Sequence, residues 1–473
     1  MKKKLMVIIL LAQILVGVPF ACQDRLDIVP LQTLSSDKAL KTEGDLVGVL
    51  IGAYDGLQDT DSYGGDILLL SDIWANRFNL RFRGTFGGLL QIASITNTSN
   101  IILLDNAWAR DIWANAYKTI NTCNIVLANL SLSKGNLRPT AGLEGEALFI
   151  RGSLYFELAR LYGKTWGDGN NATNLAVPVV LTPTPFEESA LTDANYPARN
   201  TVAEVYAQAK ADLTKAASQL PAANQHYATK WAALVQLSRI ALMQGDYAGA
   251  LNAANQVIAS GRYSITPQFG NLYFNFIRFG GVAPLEYIYY TKMTTQDGTN
   301  GLNTYYGQTV SSIPGTAGRG DLDVQTAFVN SHETGDIRRG FFTVTNRRLT
   351  QKHLDRYGHV PVMRLAEMYV TRAEANFQLG TSVGDTPLND INRIRTRAGL
   401  PNLLTVTLAD IMKERRLELA FEGHLLHDIK RTRGTTAGST NSNGPAWNSP
   451  RLILPIPQRE MDVNKKLVQN EGY

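Results

Sequence analysis

Residues 227–263 read YATKWAALVQLSRIALMQGDYAGALNAANQVIASGRY, and this stretch decides the fold. Trp231, Leu234, Ser238, Ala241 and Leu242 recur at spacings of three and four. Gly245-Asp246 interrupts them, and Tyr247, Ala250, Leu251, Ala254, Val257 and Ile258 resume the pattern. That period puts each apolar set on one face of a helix, so the stretch predicts two short helices joined by a tight turn. Ala and Ser stand where the two would cross, which lets their backbones approach closely. A lone hairpin cannot bury both its faces, so more of the same is expected along the chain. The plainer reading is a single helical hairpin in an all-α domain.

Outward from the hairpin the period recurs. Leu46, Leu50, Ala53, Tyr54 and Leu57 mark an amphipathic helix. Over 105–130, Trp108, Ile112, Ala116, Ile120, Cys123 and Leu127 make one stripe, and Trp113, Tyr117, Ile120 and Asn124 make a second. Two stripes predict a helix packed on both sides. Residues 143–161 supply its partner. Thr201…Glu204 and Thr407…Asp410 have capping-box spacing, in which hydroxyl and carboxylate each satisfy a free backbone N–H. Pro361 restarts a helix through Val362, Leu365, Tyr369, Ala373 and Phe377, with 388–398 as its partner. Two regions break the period. Residues 59–100 are Gly-rich and irregular. Residues 264–359 are rich in aromatics and turn residues, with a β-like run at Tyr287-Ile288-Tyr289-Tyr290. A stretch this long without regular structure is often functional.

The front end is a targeting segment. Lys2, Lys3 and Lys4 precede an apolar run over 5–18, shorter than the ~20 residues that span a bilayer. Residues 1–21 therefore read as a signal peptide. Cys22 stands at the end of the apolar run, behind Ala21, as in a bacterial lipoprotein signal, although Pro19 and Phe20 depart from the usual pattern. Acylation of Cys22, with a palmitate-bearing lipid, is the expectation; cleavage after Ala21 leaving a plain thiol is the other reading. With Cys123 the only other cysteine, an acylated Cys22 leaves no disulfide. The formal charge of +5 falls to 5 − 3 = +2 once the three signal lysines are gone, which gives nucleic-acid binding little support. Residues 22–44 read as a lipidated tether. Residues 45–473 read as one domain: helical repeats to about 260, a loop-rich ligand-binding part over 264–360, and a C-terminal repeat and tail over 361–473.

Leu237-Ser238, Gly245-Asp246-Tyr247 and Ala250 resemble a tetratricopeptide-type hairpin. Further motifs follow in order: Leu26-Asp27-x-x-Pro30; Gly52-Ala53-Tyr54-Asp55-Gly56-Leu57; Asn392-x-Ile394-Arg395-x-Arg397-Ala398-Gly399-Leu400. Then come Glu414-Arg415-Arg416-x-Glu418-Leu419-x-Phe421-Glu422-Gly423-His424 with Asp428, Leu454-Pro455-Ile456-Pro457-Gln458, and Gln469-Asn470-x-Gly472-Tyr473. The ordered set resembles the SusD/RagB family of outer-membrane nutrient-binding lipoproteins across essentially the whole mature chain. The resemblance implies an all-α fold of tetratricopeptide-like helical repeat pairs with long irregular loop excursions. It also implies a lipid-anchored, surface-exposed outer-membrane protein that binds glycan or another nutrient. The implied partner is a TonB-dependent SusC-like transporter. No catalysis, cofactor or nucleic acid is implied.

Sugar rings present C–H faces on which aromatic side chains stack, while polar neighbours bond the hydroxyls. The resemblance implies ligand residues on loops within 59–100 and 264–359. The candidates are Asp72, Trp74, Asn76, Arg77, Phe78 and Arg81 in the first, and Tyr273, Tyr287, Tyr289, Tyr305 and Tyr306 in the second. The alternative is that these aromatics seat the loops on the helices. Glu414, Arg415, Glu418 and Glu422 with Arg395 and Arg397 read as a structural ion-pair network. His424, His427 and Asp428 lack a further metal ligand. The run Arg347-Arg348…Lys352…Arg356 reads as a solvated face. No G-x-S-x-G or H-E-x-x-H occurs. Two rival functions stay open: a repeat scaffold binding peptides, and a secreted glycoside hydrolase, which needs a carboxylate pair in a cleft.

Overall fold

A computed structural model describes residues 40–75, 79–96, 101–185, 191–342, 347–436 and 444–473. The signal segment and most of the tether, Cys22 included, lie outside the described residues. The chain opens with α1 (Glu43–Gln58), α2 (Asp66–Trp74), β1 (Leu80–Phe82) and α3 (Gly87–Ala93). Then come α4 (Ala107–Ala128), α5 (Thr140–Tyr162), α6 (Val202–Gln219), α7 (Lys230–Gln244) and α8 (Tyr247–Ala259). Short strands β2 (Tyr287–Thr291), β3 (Leu322–Val324) and β4 (Val360–Arg364) follow. The chain closes with α9 (Leu365–Leu379), α10 (Pro387–Arg397), α11 (Leu408–Glu418), α12 (Leu425–Arg431) and α13 (Gln458–Val463).

The deciding stretch is α7 and α8. Gly245 ends α7 at φ +72°, a left-handed conformation that a side chain disfavours. Asp246 then caps α8, its carboxylate accepting the Gly249 N–H at 2.8 Å. Both expected capping boxes form, Thr201 with Glu204 and Thr407 with Asp410. Successive helices from α4 to α8 pack side by side, and α1 covers α4. Helix α8 packs directly on α9, so 260–364 leave the helical stack and return to the place they left. The excursion is thus an insertion into a continuous row of tetratricopeptide-like helix pairs. One apolar core runs from Leu46 to Leu467.

Three local expectations fail. Pro361 does not start a helix; it lies in β4, opposite Tyr290 of β2, and the helix begins at Leu365. A two-stranded ladder leaves one side of each strand unpaired, which tolerates a residue without an N–H. Residues 66–74 are helical rather than irregular, because α2 is buried on every side and so shows no polar face. Lys352 is not solvated: 2% exposed, it donates to the carbonyls of Glu418 and Ala420 and to the Glu422 carboxylate.

The expected ion-pair network is present and deeply buried. Arg364 bonds Glu286 at 3.0 Å, Glu422 at 2.6 Å, and Glu418. Arg338 bonds Asp336 at 2.7 Å and Glu414 at 3.0 Å, while Arg397 reaches Glu418 and Glu286. These residues come from α10, α11, β4 and the excursion, so the network fastens the insertion to the C-terminal helices. Burial raises the Glu422 carboxyl, but Arg364 and Lys352 outweigh it and hold it at about 2. Its contribution is therefore complete above the free-glutamate value of 4.5 and is lost as pH falls through about 2. Scanning calorimetry from pH 7 to about 3 is expected to show a melting temperature that falls steeply below about pH 4.5. A flat profile over that range would contradict the network's role.

Candidate ligand-binding site

Strand β1 belongs to the first irregular region and β3 to the second. They pair antiparallel, Leu80 opposite Val324, Arg81 opposite Asp323 and Phe82 opposite Leu322. The ladder joins the two regions that sequence reading assigned to ligand binding. Alternation along β1 turns Leu80 into the core, leaves Arg81 exposed and Phe82 half-buried. A pocket of about 270 Å³ opens beside it, with Leu80, Arg81, Phe82, Ser94, Leu322 and Gln325 in its wall.

Charge around this pocket is unevenly matched. Arg83 and Arg347 share Asp323, and Arg319 bonds Asp321 at 2.8 Å. The Arg319 guanidinium also lies 4.5 Å from the Phe86 ring centroid. Phe86 in turn meets Trp108 at 5.7 Å and Tyr305 at 5.9 Å, both edge to face. Arg81 has no carboxylate partner among the described residues. An apolar ring beside an unpaired guanidinium and an amide is a donor-rich surface with one stacking face.

The other sequence candidates are placed differently. Trp74 is 4% exposed, and its indole N–H donates to the Arg451 carbonyl at 3.1 Å. Asp72 is buried beneath the Gly423 N–H and the Tyr306 hydroxyl, and burial pushes its carboxyl up to about 7. Tyr273 donates to Glu422 at 2.9 Å, and Tyr287 to the Leu272 carbonyl. Tyr306 and Tyr289 are core residues, Tyr289 packing on Phe149 at 5.2 Å. Tyr305 is 7% exposed behind Phe86. These rings seat the loops, because a buried phenol needs a hydrogen-bond partner and finds it in the core. Asn76, Arg77 and Phe78 lie outside the described residues. Of the first-loop candidates that are described, Arg81 alone stands at the surface. Phe82, Ser94 and Gln325 were not foreseen, and only the alternation of 80–82 hinted at Phe82. Among the described residues no cluster of three or more His, Cys, Asp or Glu is arranged to hold a metal ion.

The comparisons with known proteins agree with this architecture. Residues 285–473 match the model described as the SusD family, and residues 81–242 match one described as starch-binding associating with outer membrane. SusD-like protein P2 of Formosa agariphila is 25% identical, with 100% of both chains covered. The starch-binding protein SusD of Bacteroides thetaiotaomicron is 35% identical over 122 residues, 24% of this chain and 21% of that one. A crystal structure of a putative sugar binding protein from Bacteroides vulgatus superposes with a TM-score of 0.77 at 25% identity, covering 92% of this chain and 99% of the other. The chain belongs to the SusD/RagB family. That family is one of binding proteins, and the chain is not an enzyme. Both matches reach the pocket: the one over 81–242 begins at Arg81 of β1, and the one over 285–473 contains β3.

Proposed function

We propose that this SusD-type protein captures oligosaccharide at the β1–β3 pocket and passes it to a TonB-dependent SusC-like transporter. In this reading a lipid on Cys22 holds the protein at the outer-membrane surface. The observation that carries it is the unpaired Arg81 guanidinium beside the half-buried Phe82 ring, in a pocket walled by both irregular regions. The names of the SusD-like and starch-binding relatives support carbohydrate as the ligand class. The mechanism is capture and release. A sugar face lies on Phe82, its hydroxyls take hydrogen bonds from Arg81 and Gln325, and no covalent bond changes.

Arg81→Ala is expected to weaken oligosaccharide binding about tenfold, ~1.4 kcal/mol, without altering thermal stability. Calorimetric titration of the folded variant with the polysaccharide that binds the wild type checks this. An unchanged dissociation constant would remove Arg81 from the site.

A further inference from the structure

A second concavity, of about 130 Å³, lies where the end of α1, the turn before α7 and the strand β2 come together. It shares no wall residue with the β1–β3 pocket. Aromatic rings dominate its lining. Tyr227 lies 4.8 Å from Tyr54, and His226 stacks at 4.1 Å on Tyr227, tilted by 34°. On the β2 side Tyr290 is half-buried, with one face closed by His359 at 4.9 Å. Gln225, the residue before His226, holds φ at +50°, a left-handed conformation that a glutamine rarely adopts.

The polar groups around these rings differ from those at Arg81. Asp55 brings a carboxylate and Lys292 an ammonium, both exposed, and no ion pair joins them. The Gln58 amide donates only to the Met293 thioether at 3.9 Å, a weak acceptor that leaves the Gln58 carbonyl oxygen uncommitted there. Burial, and then the neighbouring Lys292, lower the His226 pKa, so its imidazole is neutral at pH 7 and offers one donor and one acceptor. The rim sets two carboxylates, Asp55 and Asp297, against the one ammonium, and Asp297 already accepts the Thr294 N–H and hydroxyl, so the rim does not favour an anion. Neutral donors and acceptors ringed by aromatic faces match a polyol with apolar C–H faces.

We propose that this pocket is a second carbohydrate subsite that takes one neutral sugar unit, separate from the β1–β3 site. A ring stacks on His226 and Tyr290, and Asp55, Gln58 and Lys292 bond its hydroxyls. Two subsites on one chain raise the effective concentration of a long glycan at its surface, so a weak single-unit site strengthens capture without new contacts at the first.

Saturation-transfer NMR with methyl β-glucoside, methyl β-galactoside and methyl α-mannoside tests this. Wild type is expected to transfer saturation to the ring protons of at least one glycoside. His226→Ala is expected to cut that signal at least fivefold, and Asp55→Asn, an exposed and isosteric change, at least twofold. In Arg81→Ala the part of the signal that His226→Ala removes is expected to persist. No transfer to any of the three glycosides, or equal signals in wild type and His226→Ala, overturns the second subsite. A signal lost in Arg81→Ala and intact in His226→Ala assigns all binding to the β1–β3 pocket, and so overturns this proposal while leaving the first site standing.

Discussion

Arg364→Ala is expected to cost about 3–5 kcal/mol of folding stability, the largest effect of any single change considered. The guanidinium is 1% exposed and bonds Glu286, Glu418 and Glu422, while a further nitrogen donates to the Glu418 carbonyl at 2.6 Å. Glu286 and Glu418 are 0% exposed, so truncation leaves carboxylates that water cannot reach. Arg397 still reaches Glu286 and Glu418 and Lys352 still reaches Glu422, but these carboxylates lose the one cation that all three share. Lysine in place of Arg364 is not a rescue, since a single ammonium cannot reproduce a fork that reaches three carboxylates. Denaturant unfolding of the variant beside wild type measures the loss. A change under about 1 kcal/mol, the worth of an exposed ion pair, would show that the network does not fasten the excursion to the helices.

Trp74→Ala is expected to be nearly as damaging, about 3–5 kcal/mol, and to act on stability rather than on sugar affinity. Its ring fills the space between α2 and the C-terminal segment, its N–H satisfies the Arg451 carbonyl, and the Lys430 ammonium sits 5.9 Å from the ring. Truncation opens a cavity and removes that hydrogen bond. Thermal unfolding is expected to show the loss, while the folded fraction keeps more glycan affinity than Arg81→Ala does. A stable variant without binding would return Trp74 to the ligand site.

Trp74 shows where the sequence stops being legible. Residues 66–74 read DILLLSDIW, and their polar members carry no period because α2 is enclosed on all sides. Nothing local distinguishes a tryptophan that stacks on a sugar from one that fills such a core. The helix pairs were legible for the opposite reason: α6 and α8 each keep an exposed face, so their apolar stripes stand out. Caps were legible because Thr201 and Thr407 act on residues three positions away. The pocket was not, since Arg81 and Asp323 meet only once the excursion has folded back along β1. Lys352 belongs to the same class, an apparently solvated charge whose partner Glu422 lies seventy positions on.

If the proposed site is right, the β1–β3 face holds the sugar. The most direct measurement is a crystal of the protein soaked with an oligosaccharide that it binds in solution. Density is expected for a sugar ring against Phe82, with a hydroxyl within hydrogen-bonding distance of the Arg81 guanidinium. An oligosaccharide ordered elsewhere on the molecule, with the β1–β3 pocket empty, would contradict it.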